Sequence, residues 1–145
     1  MVDKTQVDLL IEGGIVITMD SERRIYAPGC VAISEGKIVG VESTSSAYSA
    51  RERLDASEMV VLPGLVNPHN HLDQCLYRSC FGQPDPGGSF WEMALGLTRQ
   101  RARAGASLSL LELAHYGVTT TQESHFTHSH IDSTDGVIDA VIESG

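Results

Sequence analysis

"VLPGLVNPHNHLDQ", residues 61–74, is the stretch on which the reading of this chain turns. A β-branched run meets Pro63-Gly64, resumes as Leu65-Val66-Asn67, and ends on His69 and His71 with one residue between them. On a strand, residues two apart face the same side with Cβ atoms about 6–7 Å apart. Two imidazoles so placed can lean onto one ion at roughly 2.0–2.1 Å per Zn–N bond. They do not suffice for catalysis, because a catalytic zinc takes three protein ligands and a water. On spacing alone, two polar residues at a strand end are an equal reading.

Upstream, from Val7 to about Thr44, short β-branched runs alternate with turn signals: "VDLLIE", Gly13-Gly14, "IVITM", "CVAIS", "EGK" and "IVGVE". These predict strands joined by tight turns, with a hairpin at Glu35-Gly36-Lys37. A Ser-rich link follows at 43–49, then a helical turn over Ala47 to Leu54, and strand character returns in "MVVLP".

Downstream, the polar loop "GQPDPGGS" leads to a stretch of helical composition from Phe90 to Ala104. A second helix is predicted over Ser107 to Tyr116, capped by Ser107, stopped by Gly117 and burying Leu108, Leu111, Leu113 and Ala114. "VTTTQES" reads as strand, and Asp135 to Glu143 as a helix burying Val137, Ile138, Val141 and Ile142. Strand, helix, strand, helix is the order of a parallel α/β sheet. The chain therefore divides into an all-β part, 1–62, and an α/β part, 63–145.

Ten Lys and Arg stand against nineteen Asp and Glu, a formal charge of −9 over 145 residues. That balance disfavours nucleic acid and anionic membrane as partners. The basic cluster Arg99, Arg101 and Arg103 reads as a solvated helix face. Three cysteines without CxxC spacing give neither a disulfide framework nor a thiolate zinc knuckle, and no run reaches the roughly 18 apolar residues of a spanning helix. A cytoplasmic protein is expected.

"VLPGLVNPHNHLDQ" resembles the first barrel strand of the amidohydrolase superfamily, in which a Pro-Gly-apolar-apolar-Asn segment runs into HxH. "VDLLIEGGIVITMD" and "GKIVGV" resemble that superfamily's N-terminal β-sandwich strands, and "GVTTTQESHF" its second barrel strand. His69, His71, Leu72, Gln74 and Arg78 together are similar to the branch that deaminates or dechlorinates nitrogen heterocycles, the guanine and 8-oxoguanine deaminases and the triazine hydrolases.

The resemblance implies an α/β fold: part of a composite β-sandwich plus the first two strand-helix units of a TIM (β/α)8 barrel, both incomplete. His69 and His71 would be metal ligands, and Gln74, Arg78 and His125 would face the substrate. A carboxamide such as Gln74 can donate to one ring heteroatom and accept from another. One divalent metal is implied, zinc first and iron next, since imidazole suits both. The substrate would be a small heterocycle such as a purine or triazine, hydrolysed at a C–N or C–Cl bond by metal-activated water, and the complete enzyme a homo-oligomer.

The superfamily draws its remaining ligands and its general acid/base from later strands, and a barrel needs about 250 residues. The expectation is thus a fragment or split subunit with no catalytic residue of its own, inactive alone, with an unpaired strand edge. Two rivals use only residues that are present. One is a small non-catalytic zinc protein whose site is closed by His69 and His71 with His125, His128 or His130. The other is a metal-free β-sandwich interaction module. For His128 and His130 the ordinary reading is a polar surface loop.

Overall fold

The computed structural model describes residues 3–80, 96–126 and 132–145, the side chains at 79 and 80 excepted. The chain divides into two compact units, one ending at Pro63 and the other spanning Gly64–Gly145. The loop 82–89, the stretch 90–95, His128 and His130 lie outside the described residues.

The first unit is built from strands. β1 (Thr5–Glu12), β4 (Cys30–Ser34), β5 (Lys37–Glu42) and β6 (Tyr48–Asp55) form a sheet in the order β5-β4-β1-β6. β2 (Ile15–Ile17), β3 (Ile25–Tyr26) and β7 (Val60–Val61) form a second, ordered β3-β2-β7. The β4–β5 hairpin turns at Glu35-Gly36, both at positive φ (50° and 71°), the backbone sense that matches the twist of the flanking strands. Val7, Leu10, Cys30, Ala32 and Tyr48 form the core, and the Tyr48 hydroxyl donates to Glu42 Oε1 at 2.7 Å.

Residues 47–54 are the first correction. Their Ala, Arg and Glu content predicts a helical turn, but Tyr48–Asp55 is β6, paired in parallel with β1 from Thr5↔Tyr48 to Glu12↔Asp55. Pairing along the whole of β1 outweighs local propensity.

In the second unit, β8 (Leu65–Asn70) pairs in parallel with β9 (Val118–Glu123). A 3-10 segment, Leu72–Cys80, follows β8; helix α1 (Arg99–His115) precedes β9, and α2 (Ser133–Ser144) follows it. β8 carries one more residue than β9 between Asn67↔Thr121 and Asn70↔Glu123. Pro68, which has no N–H to give the ladder, sits in that irregularity. Leu65 and Val66 of β8 are exposed, in a two-stranded sheet.

Three further corrections concern the helices. Within the predicted stretch 90–104 the described residues 96–98 are not helical, and the described parts of the two predicted helices are one helix, capped by Thr98, whose side chain accepts from Arg101 N. Gly105 lies inside this helix, at the point where α1 passes the Asp73 backbone. Of the predicted apolar stripes, Val137 is buried and Leu113 packs partly against the core, but the rest do not form the buried faces. α1 buries Ala102, Gly105, Ala106 and Ser109, and α2 buries Ser133, Gly136, Val137 and Ala140. Small side chains let the helices approach closely, while Leu111, Ile138, Val141 and Ile142 stay exposed. Finally, the arginine cluster is more than a solvated face: Arg99 pairs with Asp139 at 2.8 Å and Arg103 with Glu143 at 2.6 Å, tying α1 to α2.

The core of this unit is Leu72, Leu97, Ala102, Ala106, Val137 and Ala140. The 3-10 segment is fixed to α1 by Ser109 Oγ, which donates to the Leu72 carbonyl at 2.9 Å, and by the Cys75 thiol, 3.0 Å from the Gly105 carbonyl. Among the described residues, no helix is long and apolar enough to cross a membrane.

Candidate metal and substrate site

β8 delivers the two histidines to one place. His69 is on the strand, His71 one residue past its end, and their rings lie 4.8 Å apart, centre to centre, at 82°. The turn is held locally: Asn67 Oδ1 accepts from His69 N at 3.3 Å, and Asn70 Oδ1 from His71 N at 2.9 Å. Phe126 closes one side, its ring 5.0 Å from that of His71.

The end of β9 reaches the same rings. Ser124 N donates to the Asn70 carbonyl at 2.8 Å, continuing the ladder one residue past the strand. The Ser124 carbonyl lies 2.7 Å from His71 Nδ1, and its hydroxyl 3.4 Å from His69 Nδ1. A carbonyl can only accept, so His71 Nδ1 carries the hydrogen and a neutral ring keeps its lone pair on Nε2. That is the arrangement of a metal-ligating histidine, with the distal nitrogen donating to backbone. The donor set therefore fits a divalent cation as part of a coordination shell: two imidazoles, adjacent, one with its tautomer fixed.

A second grouping lies beside the first. Ligand atoms of Asp73, Glu123 and His125 all fall within 4.8 Å of one another, and neither His69 nor His71 takes part. Asp73 is only 1% exposed, and His125 Nδ1 stands 3.7 Å from its Oδ1. Glu123 Oε2 accepts from Leu72 N at 2.8 Å, and burial pushes the Glu123 carboxyl above the usual range. Glu123 thus joins the end of β9 to the start of the 3-10 segment.

Of the predicted substrate residues, His125 belongs to this second grouping. Gln74 is buried one residue after Asp73, and its Nε2 meets no hydrogen-bond partner among the described residues. Arg78 points elsewhere, in an exposed ion pair with Glu112 of α1, and it holds the Glu112 carboxyl below its ordinary range. Sequence reasoning missed Asp73. Its signal was position: an acid between the HxH pair and Gln74 that the fold takes into the interior.

Residues 60–145 match the amidohydrolase family. A 5'-deoxyadenosine deaminase of Methanosarcina barkeri is 32% identical over 141 residues, 92% of this chain and 31% of that protein. An adenosine deaminase of Xanthomonas campestris, crystallised with zinc, superposes with a TM-score of 0.78 at 23% identity, covering 97% of this chain and 33% of that one. An atrazine chlorohydrolase of Arthrobacter aurescens, also with zinc, gives 0.66 at 28% identity, covering 93% and 33%. The chain spans about a third of the length of the relatives it matches.

Proposed function

Because the chain belongs to the amidohydrolase family, we propose that His69 and His71 are two ligands of one divalent cation in a hydrolase of nitrogen heterocycles, to which this chain contributes part of the active site. The observation that carries the reading is the HxH pair itself, two rings 4.8 Å apart at the C-terminal end of a parallel strand, with His71 Nδ1 engaged by a backbone carbonyl. In parallel α/β architectures that end of the strands is where chemistry is placed. The sheet formed by β8 and β9 is read as the first two strands of a barrel.

The chemistry such a cation supplies is water activation at neutral pH, by lowering the water's pKa to about 7. The chain's own residues orient the imidazoles and line the approach. Gln74 offers a carboxamide to a ring nitrogen or carbonyl, and His125, against Asp73, stands at the end of β9 for a further polar contact. Arg78 reaches a substrate only by leaving Glu112. The substrate class is a nitrogen heterocycle losing ammonia or chloride, with adenine-type purines first, since relatives that the chain matches include deaminases of adenosine derivatives. Zinc is the first choice of metal.

Two imidazoles leave a cation short of ligands, so the 145-residue chain alone is proposed to be inactive. The test is ammonia release from adenosine, 5'-deoxyadenosine and guanine by the purified chain with one equivalent of zinc. No turnover above a His69→Ala/His71→Ala control is expected; metal-dependent turnover by the chain alone would overturn the reading of it as a partial site.

A further inference from the structure

The residue after β9 touches both members of the histidine pair, and no other described residue does so by hydrogen bonding. We propose that Ser124 is the positioning residue of the metal site, with its carbonyl and its hydroxyl accepting from Nδ1 of His71 and His69, so that both rings present Nε2 to the same cation. This rests on the reading of His69 and His71 as ligands.

The argument begins with the backbone. Ser124 N is spent on the Asn70 carbonyl at 2.8 Å, which places the serine alongside the turn between the two histidines. From there its carbonyl has one partner among the described residues, His71 Nδ1 at 2.7 Å, and the acceptor-only chemistry of a carbonyl dictates the tautomer. The hydroxyl is ambivalent, since at 3.4 Å it can donate to His69 Nδ1 or accept from it.

A shared cation removes the ambivalence. A ring whose Nδ1 lone pair faced the serine would carry its hydrogen on Nε2 and could not ligate there. A ring that donates to the serine keeps Nε2 free. One residue then sets two ligands through different atoms, and only one of those atoms belongs to its side chain. Substitution at 124 accordingly separates the two contacts: His71 keeps its carbonyl partner whatever stands there, and only His69 loses one.

The test is long-range 1H–15N spectroscopy of the histidine rings in the zinc-free chain, on the unsubstituted protein, Ser124→Ala and Ser124→Thr, each followed by zinc titration. In the unsubstituted protein at a pH where the rings are neutral, His71 should carry the hydrogen on Nδ1 before zinc is added, and both His69 and His71 should carry it there once zinc is bound. In Ser124→Ala the His71 signature should persist, while His69 should lack the hydrogen-bonded Nδ1–H signal that zinc binding gives it in the unsubstituted protein. Zinc affinity should fall about tenfold, the lower end of the effect for losing such a partner. Ser124→Thr, which keeps the hydroxyl, should restore both.

A His71 ring with its hydrogen on Nε2, or a His69 signature and zinc affinity indifferent to Ser124→Ala, would overturn the assignment of Ser124. If the unsubstituted chain shows the expected His71 tautomer and takes up no zinc, the reading of the pair as ligands fails instead, and with it the purpose given to Ser124.

Discussion

Gly105 of α1 lies so close to Asp73 that a Cβ on the glycine would overlap the aspartate's carbonyl oxygen. Gly136 of α2 meets the Arg99 carbonyl in the same way. The two contacts set how near the 3-10 segment and α2 come to α1, and so where Asp73 and Gln74 sit.

Gly105→Ala tests this with opposed terms. Alanine gains about 1 kcal/mol over glycine in a helix interior, whereas overpacking a close contact costs about 1–3 kcal/mol. The flexible end of a side chain could move aside, but the obstacle here is backbone. We expect a net loss of up to about 2 kcal/mol, read as a lower urea midpoint by circular dichroism. A higher midpoint would show that α1 does not rest on the Asp73 backbone.

Tyr48 gives a prediction in the first unit. Its hydroxyl donates to Glu42, and that bond, with burial, pushes its pKa up to about 12. The folded value lies above the unfolded value of about 10. The stabilisation is therefore fully present below pH ~10 and is lost as pH rises through the folded value. In a phenolate absorbance titration of the four tyrosines, one should ionise near 12, and Tyr48→Phe should remove that step. If the latest step survives in Tyr48→Phe, the Glu42 contact does not hold the phenol.

The exposed Leu and Ile stripes predict self-association. Leu111 is 68% exposed and Ile142 74%, on helices whose other faces are already packed together. Apolar faces of this kind find a partner or aggregate. Analytical ultracentrifugation should show mass rising with concentration, and Leu111→Glu with Ile142→Glu should shift the chain toward monomer. Unchanged association in the double variant would place the sticky surface elsewhere.

What the sequence disclosed depended on which effect ruled each segment. The β-branched runs and the turn at Glu35-Gly36 were legible, because there local preference and tertiary pairing agree. Tyr48–Asp55 was not, since its strand character comes from β1 beside it. The buried helix faces were hidden for a related reason. Periodicity finds the large apolar residues, whereas Gly105, Ala106, Gly136 and Ala140 form the contact because they are small.

The site divides along the same line. The histidine pair was visible as a spacing, and its rings do meet. Ser124 and Asp73 were not visible, because their part depends on the register of β8 against β9 and on the turn into the 3-10 segment. Arg78 looked available in the sequence only because Glu112, 34 residues on, could not be foreseen as its partner.

The central claim is that His69 and His71 hold one cation between them. Zinc titration against a chromophoric chelator, on the chain and on His69→Ala and His71→Ala, measures it directly. Complete structural zinc sites bind with about 10–16 kcal/mol, so a two-imidazole site should sit well short of that, with Kd of about 1 μM or weaker. The account predicts one zinc per chain at that strength, lost in either variant. Zinc retained in both variants, or a nanomolar site in the unsubstituted chain, would contradict it.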